Sequence, residues 1–190
     1  NALAAYAAAR SLGVDPEVAA AALAAAAPPP GRFEPVDGGQ GFAVLVDYAH
    51  TPDSLENVLR EARRLTGGRV ISVFGAGGDR DRGKRPLMGR AGGELSDLAI
   101  VTSDNPRSEE PAAIVAEVAA GAEGLAAEVE TEVDRRAAIA RALSRAEPGD
   151  AVVIAGKGHE QGQEFEDGRK VPFDDRDVAR EELARLGGQA

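Results

Sequence analysis

The sequence predicts an α/β fold with a Rossmann-like, mostly parallel sheet flanked by helices. Short apolar runs alternate with longer segments of helical character from residue 42 onward. The run Ala151–Ala155 is apolar at every position, as expected of a strand buried on both faces of a sheet. Strands that alternate with helices form βαβ units, and the strands of such units run parallel.

Two alanine-rich helical segments precede this alternation, within residues 1–27. Asp15 and Pro16 predict that the second helix spans Glu17–Ala26, because aspartate caps helix N-termini and proline suits the first helical position. Pro28–Gly31 then interrupts the pattern, so we place a domain boundary between residues 1–30 and residues 31–190. Two helices bury too little surface to fold alone, so we expect residues 1–30 to be the end of an upstream domain.

The remaining elements follow from apolar runs and from helix start signals. We predict strands at Phe42–Val46, Arg69–Phe74, Leu98–Thr102, Ala127–Glu130 and Ala151–Ala155. We predict helices at Pro52–Leu65, Arg85–Leu95, Ala112–Ala120, Arg135–Ala146 and Asp174–Leu186. The strand at Ala127–Glu130 has the weakest pattern of the five.

The composition excludes several classes of function. The 190 residues contain no cysteine, which excludes disulfides, iron–sulfur ligation and thiol catalysis. With only two histidines as well, a dedicated zinc site is not expected. A net charge of −10 argues against a nucleic-acid surface, and no apolar run is long enough to span a bilayer. We therefore expect a cytoplasmic protein that binds neither nucleic acid nor membrane.

The start of the sequence indicates a piece of a longer protein. Asn1 lies inside a helical run, and the single methionine is Met88. We therefore expect a fragment that has been separated from an upstream part, in preference to a mature chain left by processing, which would need a cleavage site inside an apolar helix.

The most informative segment follows the strand predicted at Leu98–Thr102. Asp104 and Asn105 offer short acceptors and an amide there, and Arg107 offers a planar fork that suits a carboxylate. Ligands of open α/β sheets bind at the carboxyl ends of strands. Acids beside an arginine suit a ligand that carries both an ammonium and a carboxylate. Taken alone, the Asn-Pro pair is also typical of an ordinary polar turn.

Five ordered segments of the sequence resemble the Mur ligase family, in particular its branch that adds meso-diaminopimelate to UDP-MurNAc-L-Ala-D-Glu. They are Gly31–Glu34, Val46–Ser54, Phe74–Pro86, Ser103–Arg107 and Gly156–Glu160, with a weaker match at Pro172–Arg176. The resemblance covers nearly the whole sequence, and the Asp-Asn-Pro-Arg box marks that branch. It implies an ATP-dependent amide ligase of peptidoglycan biosynthesis. Residues 31–190 would be its C-terminal amino-acid-binding domain, and residues 1–30 the last helices of its central ATPase domain.

The resemblance also implies the residues of two binding sites. The meso-diaminopimelate site would comprise Arg80, Asp104, Asn105, Arg107, Gly156 and Glu160. The ATP site would comprise Asn1, Arg32, Asp47 and His50, with Mg²⁺ entering alongside ATP and held mainly by the missing domain. In the family a substrate carboxylate becomes an acyl phosphate, the amine attacks it, and phosphate leaves. This part would position substrates without a catalytic residue of its own. We expect a monomer whose partners are these small molecules.

The sequence contains no intact phosphate-binding loop. The glycine-rich turn after Phe74 has Arg80 where a dinucleotide motif needs its third glycine. Gly78–Lys84 fits the start of a P-loop, but Arg85 replaces the hydroxyl residue that would bind Mg²⁺. We therefore expect the phosphate cradle upstream, and we expect this part alone to be inactive.

Other interpretations remain open on the sequence. Arg80 also fits a surface cluster with Asp79 and Asp81, and Arg32 also fits a linker residue paired with Glu34. A lysine-adding ligase, a ligase like folylpolyglutamate synthetase, and a stand-alone module that binds an amino acid or a nucleotide are the alternative functions. An upstream Gly-Lys-Thr or Gly-Lys-Ser loop would favour a ligase over a binding module.

Overall fold

The computed structural model describes residues 1–188 and contains one main sheet, seven α-helices and a small hairpin in that range. The strands are β1 (Glu34–Pro35), β2 (Ala43–Asp47), β3 (Val70–Phe74), β4 (Leu98–Thr102), β5 (Glu128–Glu132), β6 (Ala151–Ala155), β7 (Gly162–Glu164) and β8 (Lys170–Pro172). The helices are α1 (Ala2–Ser11), α2 (Pro16–Ala25), α3 (Pro52–Leu65), α4 (Lys84–Leu95), α5 (Pro111–Ala120), α6 (Arg135–Arg145) and α7 (Asp175–Gly187).

The five strands predicted from the sequence form a parallel sheet in the order β2-β6-β3-β4-β5. Strand β1 adds an antiparallel edge beside β2. The strands β3, β4 and β6 are buried at every position, which agrees with their continuous apolar runs. The predicted α/β fold is therefore confirmed, and β6, the last of the five in the chain, lies between β2 and β3.

Helices cover both faces of the sheet. On one face α3, α4 and α5 pack over a core that includes Leu59, Phe74 and Met88. On the other face α6 and α7 pack over a core that includes Ile139 and Leu183. The burial of these apolar side chains, worth about 25 cal/mol per Å² removed from water, holds the layers together.

Side chains placed just before the helices determine where the helices begin. The Thr51 hydroxyl accepts from the Ser54 N–H, and the Thr51 N–H donates to the Ser54 hydroxyl, which forms a reciprocal cap on α3. The Asp15 carboxylate accepts from the Glu17 N–H at the start of α2. Such caps satisfy N–H groups that the first turn of a helix leaves unpaired, so the predicted cap at Asp15 is confirmed.

Most predicted boundaries shift by one or two residues. Three predicted strands differ from the observed ones: Phe42–Val46 is observed as Ala43–Asp47, Arg69–Phe74 as Val70–Phe74 and Ala127–Glu130 as Glu128–Glu132. Five predicted helices differ: Glu17–Ala26 is observed as Pro16–Ala25, Arg85–Leu95 as Lys84–Leu95, Ala112–Ala120 as Pro111–Ala120, Arg135–Ala146 as Arg135–Arg145 and Asp174–Leu186 as Asp175–Gly187. Asp174 caps α7 from outside, because its carboxylate accepts from the Arg176 N–H. The predicted domain end at residue 190 lies outside the described residues.

Strand β5 is polar because its side chains bind arginines of α6. Glu130 accepts from Arg145 (2.6 Å), and Glu132 accepts from Arg141 (2.7 Å). The carboxylates at alternate positions of an edge strand therefore face one helix, and ion pairs replace apolar packing there. This explains why the apolar pattern of the segment was weak.

The sequence analysis did not predict strand β1 or the β7–β8 hairpin. These strands have two or three residues and a polar composition, which is too short for a period of two to be visible. The hairpin turn passes through Asp167 and Gly168, both with positive φ (58° and 70°). The hairpin contacts the Asp-Asn-Pro-Arg box through Glu164 and Arg107.

The two N-terminal helices leave much apolar surface exposed. Helix α1 buries no residue and α2 buries only Ala19, whereas Leu3 and Leu12 are 85% and 84% exposed. Such surface is typical of elements that pack against another part of a protein. The assignment of residues 1–30 to an upstream domain stays a prediction.

Across residues 1–188, every helix is too short or too polar to cross a membrane.

Candidate ligand-binding site

Four predicted segments meet at one edge of the sheet. The strands β2, β6, β3 and β4 are neighbours and run parallel, so their carboxyl ends lie side by side. The loops that follow them begin at Tyr48, Gly75, Ser103 and Gly156. Loops at this edge are the usual ligand site of an open α/β sheet.

A cleft of about 360 Å³ lies between these four loops. All six residues predicted to bind a diamino acid line this cleft: Arg80, Asp104, Asn105, Arg107, Gly156 and Glu160. Tyr48, His50 and Lys84 line it as well. The cleft therefore combines guanidinium, carboxylate and amide groups, the set expected for a ligand with both charges.

Lys157 is fully buried and joins three of these residues from beneath the cleft. Its ammonium donates to Asn105 Oδ1 (2.9 Å) and to Glu160 Oε2 (3.2 Å), and it lies 3.9 Å from Asp104 Oδ1. The Asn105 amide donates to the same Glu160 oxygen (3.0 Å). A buried charge persists only where it is paired, so this network fixes the orientation of the polar groups above it.

The Glu160 carboxylate is stabilised in its charged form. Burial raises its pKa, but the hydrogen bonds from Asn105 and Lys157 and the charge of Lys157 lower it by more, so the pKa lies below its ordinary value. Burial and the neighbouring Glu160 carboxylate raise the pKa of the Tyr48 hydroxyl. At neutral pH the cleft therefore presents an ionised Glu160 beside a neutral phenol.

Arg107 is held at the cleft wall by backbone and side-chain contacts. Its φ of 54° is uncommon for a residue with a side chain, and such conformations persist only where the surroundings enforce them. Its Nη1 donates to the Gly78 carbonyl (2.8 Å), and its Nε donates to Glu164 Oε2 (3.1 Å). The guanidinium is one-fifth exposed and has a defined direction.

Arg80 does not form the surface salt-bridge cluster with Asp79 and Asp81 that was an alternative on the sequence. The Asp79 carboxylate accepts from the Ser108 hydroxyl (2.7 Å) and N–H (3.2 Å), and these bonds lower the pKa of Asp79. Arg80 donates only to the Asp79 carbonyl (3.1 Å) and forms no salt bridge with Asp79 or Asp81 within residues 1–188. Its exposed guanidinium therefore lies at the cleft without a carboxylate partner from that range.

Arg85 anchors the glycine-rich loop that carries Arg80. Its guanidinium is fully buried and binds Glu109 (2.6 Å) and Glu117 (2.9 Å). The hydrogen bond from Arg85 lowers the pKa of Glu109 to about 2, and Glu109 also accepts from the Asp79 N–H (2.7 Å). The loop is thereby tied to the segment that follows Arg107.

Gly156 allows the loop after β6 to approach Asp104. Its φ is +125°, and a Cβ built on it would lie 2.6 Å from Asp104 Oδ2. A side chain at this position would be strained by the backbone conformation and would have to displace the Asp104 carboxylate. The close approach brings the loops that follow β4 and β6 into contact at the base of the cleft.

Arg135, at the start of α6, binds the chain at the carboxyl ends of β4 and β6. Its fully buried guanidinium binds Asp175 in a bidentate manner (2.8 and 2.7 Å) and donates to the Ala155 carbonyl (3.0 Å). A fourth bond reaches the Ser103 carbonyl (3.4 Å). Helices α6 and α7 are therefore joined directly to the ends of β4 and β6.

Two residues expected at the nucleotide lie beside Tyr48. The Asp47 carboxylate, at the end of β2, accepts from the Phe33 N–H (2.7 Å). The Arg32 guanidinium lies 4.8 Å from the centre of the Tyr48 ring, in cation–π geometry. Glu34 pairs with arginines of α7, so the alternative pairing of Arg32 with Glu34 does not occur.

The other two residues expected at the nucleotide are His50, which also lies beside Tyr48, and Asn1. His50 is exposed, its ring lies 4.7 Å from that of Tyr48, and its carbonyl accepts from the Lys84 ammonium (3.0 Å). Burial lowers the pKa of Lys84. Asn1 lies at the exposed start of α1, and its side chain makes no capping bond.

The sequence analysis did not single out Lys157, Glu164 or Arg135 as parts of the site. Lys157 lies inside the segment Gly156–Glu160, which the family resemblance had already marked. No local signal marks Glu164 or Arg135, because both act on residues at least 20 positions away in the chain.

The fold and the site define an α/β binding domain that presents guanidinium and carboxylate groups at the carboxyl ends of parallel strands. The chain belongs to the Mur ligase family, because residues 31–158 match the family model described as Mur ligase, glutamate ligase domain.

Curated relatives have closely similar sequences. The UDP-N-acetylmuramoyl-L-alanyl-D-glutamate–2,6-diaminopimelate ligase of Syntrophomonas wolfei is 55% identical over 184 residues, which cover 96% of this chain and 37% of that protein. The enzyme of the same name from Streptomyces coelicolor is 51% identical, in an alignment that covers 99% of this chain and 38% of that protein. This chain therefore spans a little over a third of the length of these relatives.

Solved structures have the same fold. A structure of a UDP-N-acetylmuramoyl-L-alanyl-D-glutamate–2,6-diaminopimelate ligase superposes with a TM-score of 0.76 at 40% identity, over 97% of this chain and 38% of that one. The UDP-N-acetylmuramate-alanine ligase of Thermotoga maritima gives a TM-score of 0.68 at 19% identity, over 100% of this chain and 37% of that one. The second likeness concerns the fold alone.

Proposed function

We propose that this chain is the amino-acid-binding part of an ATP-dependent ligase that adds meso-diaminopimelate to UDP-MurNAc-L-Ala-D-Glu in peptidoglycan biosynthesis. The observation that carries the proposal is the cleft in which Arg107, Asn105 and Glu160 lie together. Relatives whose names state this activity are 50–55% identical over nearly the whole chain, which supports the same assignment.

The charges of the cleft suit the two ends of a diamino diacid. Each end of meso-diaminopimelate carries a carboxylate and an amino group. In the proposed complex Arg107 binds the carboxylate of the far end, Arg80 binds a carboxylate, and Glu160 accepts from an ammonium. Asn105 and Asp104 complete the site, and Gly156 lets the ligand approach the backbone. The amine at the reacting end remains free to attack the activated substrate.

The contribution of this chain to the chemistry is positioning. In a ligase of this class ATP converts the substrate carboxylate to an acyl phosphate, and the amine must then reach its carbonyl carbon. A cleft that holds the amine in reach supplies much of the rate by converting an encounter into an intramolecular step. No residue here is assigned to proton transfer or covalent catalysis.

The nucleotide is proposed to contact one edge of this domain. Arg32, Asp47 and His50 form a wall around Tyr48, and Asn1 would join it from the start of α1. Residues 1–188 contain no group of three histidine or acidic side chains placed to hold a metal ion. We propose that the Mg²⁺ that accompanies ATP is held mainly by the remainder of the protein.

Diaminopimelate is favoured over lysine by electrostatics. The side chain of lysine ends in an ammonium alone, which the Arg107 guanidinium repels, whereas diaminopimelate presents a carboxylate there. A ligase that adds lysine, one like folylpolyglutamate synthetase, and a non-catalytic binding module remain the alternatives that the following experiment separates.

The test is Arg107→Ala in the full-length protein, with diaminopimelate and lysine compared as acceptors by ADP release. Loss of charge-assisted hydrogen bonds worth about 1.5–3 kcal/mol each should lower kcat/KM for diaminopimelate about tenfold to a hundredfold. Lysine should lose less or gain. The matched control is Arg90→Ala, an exposed arginine of α4 paired with Glu94.

Each contrary result identifies a different error. Equal losses for both amines would mean that Arg107 stabilises its loop and does not read the ligand. A wild-type enzyme that prefers lysine would establish the lysine-adding alternative. Absence of acceptor-dependent ADP release with either amine would leave the binding module and the ligase like folylpolyglutamate synthetase, and ADP release with glutamate and a folate would identify the latter.

A further inference from the structure

The β7–β8 hairpin holds the two central residues of the proposed diamino-acid site. The Arg107 N–H donates to the Glu164 carbonyl (3.0 Å), and the Arg107 Nε donates to the Glu164 carboxylate (3.1 Å). The Glu164 N–H donates to Asn105 Oδ1 (2.9 Å). One residue of the hairpin therefore contacts both Arg107 and Asn105, and Phe165 extends the contact as an isolated bridge to Arg107.

These contacts determine which edge of the Arg107 guanidinium is available. The Nε binds Glu164 and the Nη1 binds the Gly78 carbonyl, so two of its three nitrogens have protein acceptors. Within residues 1–188, Nη2 donates to no protein acceptor. The guanidinium is thus clamped between two loops, and Nη2 is left without a protein partner in a residue that lines the cleft.

The position of Glu164 suits a role in the site better than a role in stability. Its side chain is one-third exposed, and exposed ion pairs contribute little to folding. It also lines a second cleft of about 570 Å³, which shares Asn105, Arg107 and Glu160 with the first. Glu164 therefore lines the second cleft and binds an arginine that lines both clefts.

We propose that Glu164 is a positioning residue for amino-acid specificity: it sets the direction of the Arg107 guanidinium so that its remaining edge meets the far carboxylate of the diamino acid. The inference rests on the proposed function, in which Arg107 binds that carboxylate. Orientation is the main effect, because an arginine with five donors discriminates by geometry as well as by charge. A neutral acceptor that keeps the hydrogen bond to Nε should therefore preserve most of the role.

The test compares Glu164→Ala with Glu164→Gln in the full-length enzyme. Glu164→Ala should raise the KM for diaminopimelate about tenfold, with kcat and the KM for ATP changed less than about twofold, and the preference for diaminopimelate over lysine should fall by a similar factor. Glu164→Gln should stay within about threefold of wild type. The control is Glu166→Ala, an exposed carboxylate of the same hairpin turn.

A double-mutant cycle with Arg107→Ala separates this role from a general effect on the fold. In the Arg107→Ala background, Glu164→Ala should cause no further loss, because its effect passes through the arginine. Additive losses, an unchanged KM in Glu164→Ala, or equal losses for all three substrates would overturn the inference. If Arg107→Ala impairs diaminopimelate use and Glu164→Ala does not, this inference fails alone. If the wild type does not use diaminopimelate, the proposed function fails first.

Discussion

Replacement of Lys157 by methionine should destabilise the chain and should do so in a pH-dependent way. Methionine has a similar length and volume but no charge, so it fills the buried position without the two hydrogen bonds of the ammonium. Glu160 and Asp104 would then face each other at the base of the cleft without a buried cation between them.

The expected loss of stability follows from the two hydrogen bonds of the Lys157 ammonium. The ammonium lies 2.9 Å from Asn105 Oδ1 and 3.2 Å from Glu160 Oε2. Bonds to charged groups contribute about 1.5–3 kcal/mol each, and part of this is regained because an ammonium no longer has to be desolvated. The free energy of unfolding at pH 7 should therefore fall by about 2–4 kcal/mol.

The sign of the pH effect comes from Glu160. Its pKa in the folded chain lies below the ordinary value of 4.5, so it adds stability above pH 4.5 that is lost as the pH falls through the folded pKa. Without Lys157 this pKa rises, and the added stability shrinks. The difference between wild type and variant should thus be largest near neutral pH and should narrow below pH 4.5.

Urea unfolding of the 190-residue chain at several pH values measures both effects. Lys170→Met is the matched control, because Lys170 is exposed on β8. A loss below about 0.5 kcal/mol at pH 7, or a loss that stays constant from pH 7 to pH 3, would refute the reasoning that Lys157 holds Glu160 in its charged form.

Four further outcomes are expected. Arg135→Met leaves the fully buried Asp175 unpaired and should lower the free energy of unfolding by about 3–5 kcal/mol in urea titrations; a loss under about 1 kcal/mol would contradict the role of the pair. Gly156→Ala forces a Cβ against Asp104 and should raise the KM for diaminopimelate in the full-length enzyme while the KM for ATP stays the same; equal increases would argue against the site. Asp47→Ala should weaken ATP use more than diamino-acid use, and unchanged ATP kinetics would remove Asp47 from the nucleotide wall. The 190-residue chain alone should release no ADP with all three substrates, and activity that follows its concentration would disprove this.

The sequence by itself was sufficient for the α/β fold and for the family. Apolar runs such as Ala151–Ala155 and capped helix starts such as Asp15 are local signals, and local signals survive in a linear sequence. The site edge was also predictable, because motifs that directly follow parallel strands must lie at the carboxyl ends of those strands. The six residues assigned to the diamino acid indeed line one cleft.

Only the tertiary structure shows which groups fix the orientation of the residues that line the cleft. Glu164 reaches Arg107 across 57 positions, and Lys157 reaches Asn105 across 52. The order of the strands, with β6 between β2 and β3, brings these distant segments together, and no periodic pattern encodes that order. Sequence patterns report which face of an element is buried, whereas the pairing of charges inside a cleft depends on how separate elements pack.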